Sequence, residues 1–275
     1  MREQKGQKKQ KKQKLVDFTS AVVKVKKKQF NNEGPNKKSK LMEDCIIVEQ
    51  DFTIKVEAVG SFTLMCTPYD LKSLTVGFLF SEGVINSVDE IISVSAIKNN
   101  SVAIKTENPG TAKRNLIITS SWSGARNIKE ILSRTKASDR TLIISNQDLT
   151  KLTEQLKERQ CIFQMTGAAH AAGIFNVKGE IIAVGEDVGR HNALDKAIGH
   201  ALLAGKTISG CGVVLSGRVS VEMVIKAVSA GIEIIAAVSA PSSLAVELAK
   251  KSGITLCGFI REDKVNVYSC SERII

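Results

Sequence analysis

The chain has 275 residues, 43% of them hydrophobic, which excludes a disordered chain and allows one or two domains with a sizeable core. The formal charge of +11 suggests an anionic partner, but residues 1–40 hold 14 Lys or Arg against 3 acidic residues, so the excess belongs to a tail and the remainder is neutral. No apolar run reaches the roughly 18 residues of a membrane span and no signal-peptide apolar region adjoins the basic start, so a cytoplasmic protein without a membrane span is expected.

In chain order, residues 1–18 read as a mobile basic terminus, 19–29 as an edge strand, and Asn31 to Lys40 as a loop. Short strands follow in CIIVEQ, FTIKVEAV and SFTLMCT. Alternation puts Phe52, Ile54, Val56 and Ala58 on one face. Pro68 stops that run, and Leu71, Leu74, Phe78 and Leu79 have helical spacing up to a stop at Gly83. IISVSAI and SVAIKT complete a meander with one helix. Residues 1–40 thus form a basic segment and 41–110 a small α+β region.

From 111 to 275 the pattern becomes strand and helix in alternation. LIITS, a helix from about Ala125, TLIIS and a helix near 146–158 precede CIFQMTGAAHAAGIFN. Thr166 and Gly167 suggest a short helix that carries His170. A hairpin turns at Lys178-Gly179, and a helix runs from about His191 to Leu203. CGVVLSG, IEIIAAVS and ITLCGFI read as buried strands, separated by a helix that ends at Gly231 and one from about Ser242 to Lys251 that Pro241 opens. The fold class is α/β, with helices covering a mostly parallel sheet.

The densest polar cluster is GEDVGRHNALDK, at a strand's carboxyl end where open α/β sheets hold ligands. Glu186, Asp187, Arg190, His191, Asn192 and Lys196 offer proton transfer and, through Arg190, a planar fork for phosphate. A capped helix start with local ion pairs is the alternative. His170 among small residues, Arg218 at a strand-to-helix junction, and Arg261 and Lys264 in the charged turn of GFIREDKVNVY are further candidates, each weighed against an ordinary surface or half-buried role. The six cysteines form no CxxC pair; most, Cys161 included, sit in apolar context that suggests burial. No intrinsic metal site is expected, and nucleic acid is an unlikely partner because the tail lacks interleaved aromatics.

The runs TPYDLKSLTVGFLFSEGVI, TGAAHAAGIF, GEDVGRHNALDKAIG, the stretch from LSGRVSVEM to GFIRED, and VNVY are together specific. Over roughly residues 43–270 the chain resembles the formate dehydrogenase accessory protein family, the FdhD-type sulfurtransferases. The resemblance implies a layered cytidine-deaminase-like domain with a mixed sheet and a small N-terminal α+β region. It implies sulfur transfer from a cysteine desulfurase to the molybdenum or tungsten bis-pterin guanine dinucleotide cofactor, with formate dehydrogenase as recipient and a homodimer as the expected assembly. It adds weight to a cofactor-binding stretch of Phe259, Ile260, Arg261, Glu262, Asp263 and Lys264, with His170 and the Glu186 to Lys196 run as pocket walls. GDP is the natural surrogate ligand. The zinc-deaminase signature is absent, so deamination is not implied.

One stretch departs from the family. Its carrier loop resembles SSCGxCG, in which a thiolate holds sulfane sulfur. Here the run is SSWSGARN, which puts Trp122 and Ala125 at the two cysteine places. No catalytic residue is therefore assigned. Three readings stand: an accessory protein that binds the cofactor or the dehydrogenase, a sulfurtransferase working through a different cysteine, or a non-enzymatic binding module with a changed ligand.

Overall fold

The computed structural model describes residues 18–30, 39–107, 116–118, 141–262 and 264–275. The expected helix from Ala125 and the Trp122 loop lie outside the described residues. A two-stranded antiparallel ribbon comes first, β1 (Val22–Phe30) on β2 (Ser39–Ile47). Alternation then builds a hairpin of β3 (Gln50–Val56) and β4 (Gly60–Cys66). Phe52, Ile54, Phe62 and Leu64 share its buried face, against Leu74, Phe78 and Leu79 of α1 (Leu71–Ser81). Ala58, expected on that face, instead has φ 62° in the tight turn, and Val59 takes the buried place.

β5 (Ile91–Val94), β6 (Ser101–Thr106) and β7 (Leu116–Ile118) complete a sheet of order β5-β6-β3-β4-β7. The expected meander is corrected here. β3 pairs with β6, and β4 with β7, in parallel, which requires crossovers rather than tight turns; α1 lies in the first of them.

The second sheet is preceded by α2 (Asn146–Glu158) and α3 (Cys161–Thr166). Its strands and helices are β8 (His170–Phe175), β9 (Ile181–Asp187), α4 (Arg190–Leu203), β10 (Gly212–Leu215), α5 (Val221–Ser229), β11 (Ile234–Ala237), α6 (Ser243–Ser252), β12 (Thr255–Arg261) and β13 (Lys264–Ser269). Sheet order is β13-β12-β11-β10-β8-β9. Only β10, β11 and β12 run parallel; β8, β9 and β13 are antiparallel to their neighbours, so the mostly parallel expectation gives way to a mixed sheet. The cause is local: the hairpin at Gly179, with φ 71°, and the short turn after Arg261 are too brief to cross the sheet. Val213 and Leu215 pack on one face with Leu194, Val224 and Leu248, while Val214 packs on the other with Leu149 and Leu156. Helices thus cover both faces, and the fold is a layered mixed α/β structure with a smaller α+β part.

One helix boundary differs from expectation. His170 opens a strand, because Gly167 at φ 69° ends α3 three residues earlier. The helix expected from about Ser242 to Lys251 is α6, and the Ser242 hydroxyl accepts from Ala245 N at 3.3 Å and caps it.

The two parts meet where α1 crosses α4. A Cβ on Gly77 would lie 1.8 Å from the Asp195 carbonyl oxygen, and one on Gly199 would lie 1.9 Å from that of Ser73. Backbone therefore packs on backbone. Beneath the crossing, buried Lys226 of α5 donates to Ser81 Oγ, Glu82 Oε1 and Asp195 Oδ2, each at 2.9 Å. Burial raises Asp195 to about 6 against the pull of Lys226. At the rim, His200 uses both ring nitrogens, 2.6 Å from Val184 O and 3.2 Å from Asp70 Oδ2. Burial pulls its pKa down, but the Asp70 hydrogen bond, the Val184 carbonyl and the Asp70 charge together raise it above the ordinary value.

Neither glycine contact leaves room for a methyl group. Gly77→Ala and Gly199→Ala should each force the helices apart and cost about 1–3 kcal/mol, the usual range for overpacking. Urea unfolding checks this: an unchanged midpoint in both variants would show that the crossing is not tight in solution.

Candidate anion-binding site

The carboxyl ends of β9 and β10 and the start of β8 lie side by side. His170 opens β8 opposite Asp187, the last residue of β9. Ser216 follows β10, accepts from Ala171 N through its Oγ at 2.8 Å, and donates its own N–H to Ala171 O at 3.0 Å. This double link sets Ser216, Gly217 and Arg218 beside His170. A Cβ on Gly217 would meet His170 Nδ1 at 3.1 Å and the Arg190 Cβ at 3.7 Å. Glycine therefore lets a histidine and an arginine from two other elements close on one point.

The gathered charge is positive. Burial lowers the His170 pKa, and the charges of Arg190 and Arg218 lower it further. Burial also lowers that of Arg190, with Arg218 adding to the effect and Glu222 opposing it. The Arg190 Nε is buried and has no hydrogen-bond partner among the described residues. An unmet buried donor on a cation is costly unless something completes it. Two nearby helices, α4 and α5, also begin without a side-chain cap, at Gly189 and Ser220. Free helix amides and arginine forks are anion ligands.

Beside this cluster opens a cavity of about 510 Å³, lined by His170, Ser216, Gln160, Phe163, Val238 and Ile260 among others. That size suits a nucleotide-scale ligand. Ile260 is buried, while Phe259 is exposed and held at φ 52° on an irregular stretch of β12. Beyond it, Arg261 and Lys264 face each other across the β12–β13 pairing, and with Glu262 they are exposed. Asp263 lies outside the described residues.

The rest of the polar run has protein partners. Asp187 and Lys196 are fully buried and paired at 2.7 Å. Lys196 also donates to Thr67 O and Glu186 O, at 3.0 and 3.1 Å. Asp187 accepts from Thr67 N, Gly189 N and Asn192 Nδ2. Asn192 donates as well to Met65 O, so it bridges β4 and β9. Glu186 accepts from Ile162 N and Phe163 N at the start of α3; burial raises its pKa and those amides oppose the rise. His191 turns to Ser220 Oγ at 3.1 Å, with Glu222 at 3.9 Å. Of the polar candidates, His170 lines the cavity, and Arg190 and Arg218 lie close enough to it to lower its pKa; Glu186, Asp187, Asn192 and Lys196 are bound within the protein as a frame.

Sequence reasoning missed Ser216, Gly217, Gln160 and Phe163. The SGRVS run was visible, but only contact geometry shows that its glycine seats His170. Buried Lys226 was also missed, because its partners Ser81 and Glu82 lie far away in sequence. Cys161 requires a correction. It is exposed, since Ile162 takes the buried position at that end of α3. Burial and then the Glu186 carboxylate nevertheless raise its thiol pKa. Cys66 and Cys257 are buried thiols, each pushed up to about 12 chiefly by burial.

A mixed α/β protein with a cationic pocket at strand ends is the class that this fold and site define. The family model described as FdhD/NarQ family matches residues 47–275, and the chain belongs to that family. It is 39% identical over 236 residues to a protein named sulfur carrier protein FdhD from Saccharolobus solfataricus, covering 84% of this chain and 91% of the other. A Streptomyces avermitilis protein of the same name is 38% identical over 254 residues, covering 84% and 89%. Among solved structures, a protein from Desulfotalea psychrophila described as a formate dehydrogenase accessory protein superposes with a TM-score of 0.73 at 25% identity, covering 93% of this chain and all of that one.

The frame and the pocket respond differently to mutation. Lys196→Met should leave Asp187 buried and unpaired and destabilise the protein by about 3–5 kcal/mol. Denaturant unfolding measures it, and a loss confined to ligand binding at unchanged stability would contradict the framing role.

Proposed function

We propose that this protein is a formate dehydrogenase accessory protein that binds the molybdenum or tungsten bis-pterin guanine dinucleotide cofactor as cargo, through its phosphates, without relaying sulfur at the 122 and 125 positions. The observation that carries the reading is the buried Arg190 Nε, which has no partner among the described residues, close to Arg218 and to His170 of the cavity wall. A diphosphate supplies the missing acceptors. Two guanidinium groups offer forked donors, and His170, whose pKa is lowered by burial and then by the Arg190 and Arg218 charges, adds a ring N–H. Gly217 lets His170 sit against the turn after β10, while Phe163, Val238 and Ile260 give an apolar wall for a flat ring. Relatives named sulfur carriers and formate dehydrogenase accessory proteins support the wider role. Trp122 and Ala125 have no sulfur to load, so holding the cargo and presenting it to the dehydrogenase is the part assigned to this chain. No helix among the described residues is long and apolar enough to cross a membrane, which accords with action in the cytoplasm.

Calorimetry with GDP tests the pocket. The native chain should bind, and Arg190→Ala or Arg218→Ala should each weaken binding roughly ten-fold, the worth of a charged hydrogen bond. Absence of binding, or binding unchanged in the double variant, would overturn the reading.

The exposure of Cys161 favours one competing reading, sulfur relay through that thiol. Its thiolate would attack the outer sulfur of a desulfurase persulfide, forming a new S–S bond and releasing the desulfurase cysteine as thiolate. The raised thiol pKa and the adjacent Glu186 oppose this step. Incubation with a competent cysteine desulfurase and cysteine should therefore leave the intact mass unchanged. A gain of one sulfur that disappears in Cys161→Ser would establish the relay instead.

A further inference from the structure

Among the described residues the five-stranded sheet ends at β5, whose one strand neighbour is β6. An edge strand presents unpaired backbone groups, and proteins guard such an edge with charge, proline, short length or a bulge. Residues 91–97 read IISVSAI and contain neither charge nor proline; β5 is four residues long and its pairing with β6 shifts register between Ile91 and Ser93. Ile92, Val94 and Ile97 are 54%, 48% and 43% exposed. The edge is therefore apolar and exposed, guarded by its short length and its irregular register and by no charge.

Each face of this edge has its own concavity. Towards α1 lies a pocket of about 310 Å³, lined by Val76, Val88, Ile91, Ile97 and Leu203 among others. On the opposite face an open groove of about 840 Å³ runs past Ser93, Ala103, Lys55 and Lys105. Val94 and Ser95 line both. Side chains of an added strand point alternately to the two faces of a sheet, so paired concavities either side of one edge are the receptor that strand addition requires.

We propose that β5 receives an extended segment of a partner protein as an additional strand, with an apolar side chain in the α1-side pocket and acidic residues flanking it. The acidic flanks follow from charge. Lys72 lines the pocket and Lys55 the groove, and neither makes an ion pair among the described residues, whereas Lys105 is matched by Glu57 at 3.4 Å. Three nearby acids have partners on this chain: Asp89 accepts from Ser87 Oγ, Glu90 accepts from Asn86 N, and Glu57, which lines the groove, pairs with Lys105. A second copy of this edge therefore offers poor complements to those lysines. This surface shares no lining residue with the anion pocket, so the inference stands apart from the proposed function.

The test uses the full chain and a fluorescein-labelled peptide, Glu-Glu-Val-Thr-Val-Thr-Val-Asp-Asp, read by fluorescence anisotropy. Saturable binding is expected. Methylation of alternate peptide amides should abolish it, because strand addition needs those N–H groups. Lys72→Glu should weaken the acidic peptide several-fold and improve binding of a peptide with Lys in place of Glu and Asp. No binding, or binding insensitive to both N-methylation and Lys72→Glu, would overturn the proposal. Light scattering on Ile92→Lys covers the other occupant: conversion of a native dimer to a monomer would assign the edge to a second copy and overturn a partner segment.

Discussion

The buried pair of Asp187 and Lys196 is the constraint on which the candidate site depends. Placing two full charges out of water is expensive, and it is tolerated only when every donor and acceptor is met. Here the ammonium has three N–H groups and three oxygen partners, one each from Thr67, Glu186 and Asp187. Both Asp187 oxygens are also engaged, by Thr67 N on one side and by Gly189 N and Asn192 on the other. These bonds tie the end of β4 to the end of β9 and to the first turn of α4. The direction in which Arg190 leaves α4 follows from that fastening.

Arg190 stands out against this background. The Lys226 cluster with Ser81, Glu82 and Asp195 is likewise closed, and it joins α5 to both crossing helices. Thus two buried cations are satisfied within the protein, while the half-buried Arg190 guanidinium keeps a buried N–H that no described residue meets. The same fold that supplies Lys196 and Lys226 with partners gives Arg190 two more cationic or polarised neighbours. Arg218 brings only donors, and the two guanidinium charges together raise the field that an anion would feel.

Strand periodicity made much of this fold legible. Phe52, Ile54 and Val56 alternate onto one face as the sequence implies, and the continuous apolar runs GVVL and IIAA are buried on both faces. Strand direction was less legible, because apolar runs look alike whichever way they run; β8, β9 and β13 had to be placed by their short connections. At the site, the Glu186 to Lys196 cluster announced itself by density, but density does not separate a frame from a pocket. That division is set by Thr67 and Met65, more than a hundred residues upstream. His170 was picked for its small neighbours, yet its placement depends on Gly217 across the sheet.

The altered carrier loop and the surviving pocket motifs then cease to be in conflict. Among the described residues, the cationic opening is made by β8, the β9–α4 junction and the β10–α5 junction, each held by backbone hydrogen bonds or buried ion pairs. None of those bonds uses a thiol. Holding an anion needs fixed donors and a vacancy of the right size; carrying sulfane sulfur needs an accessible thiolate. Four of the six cysteines, Cys66, Cys161, Cys211 and Cys257, have raised thiol pKa values, with burial the leading cause in each. The proposed function, in which the cargo is held without a thiol at the 122 and 125 positions, requires only that the two properties rest on different atoms.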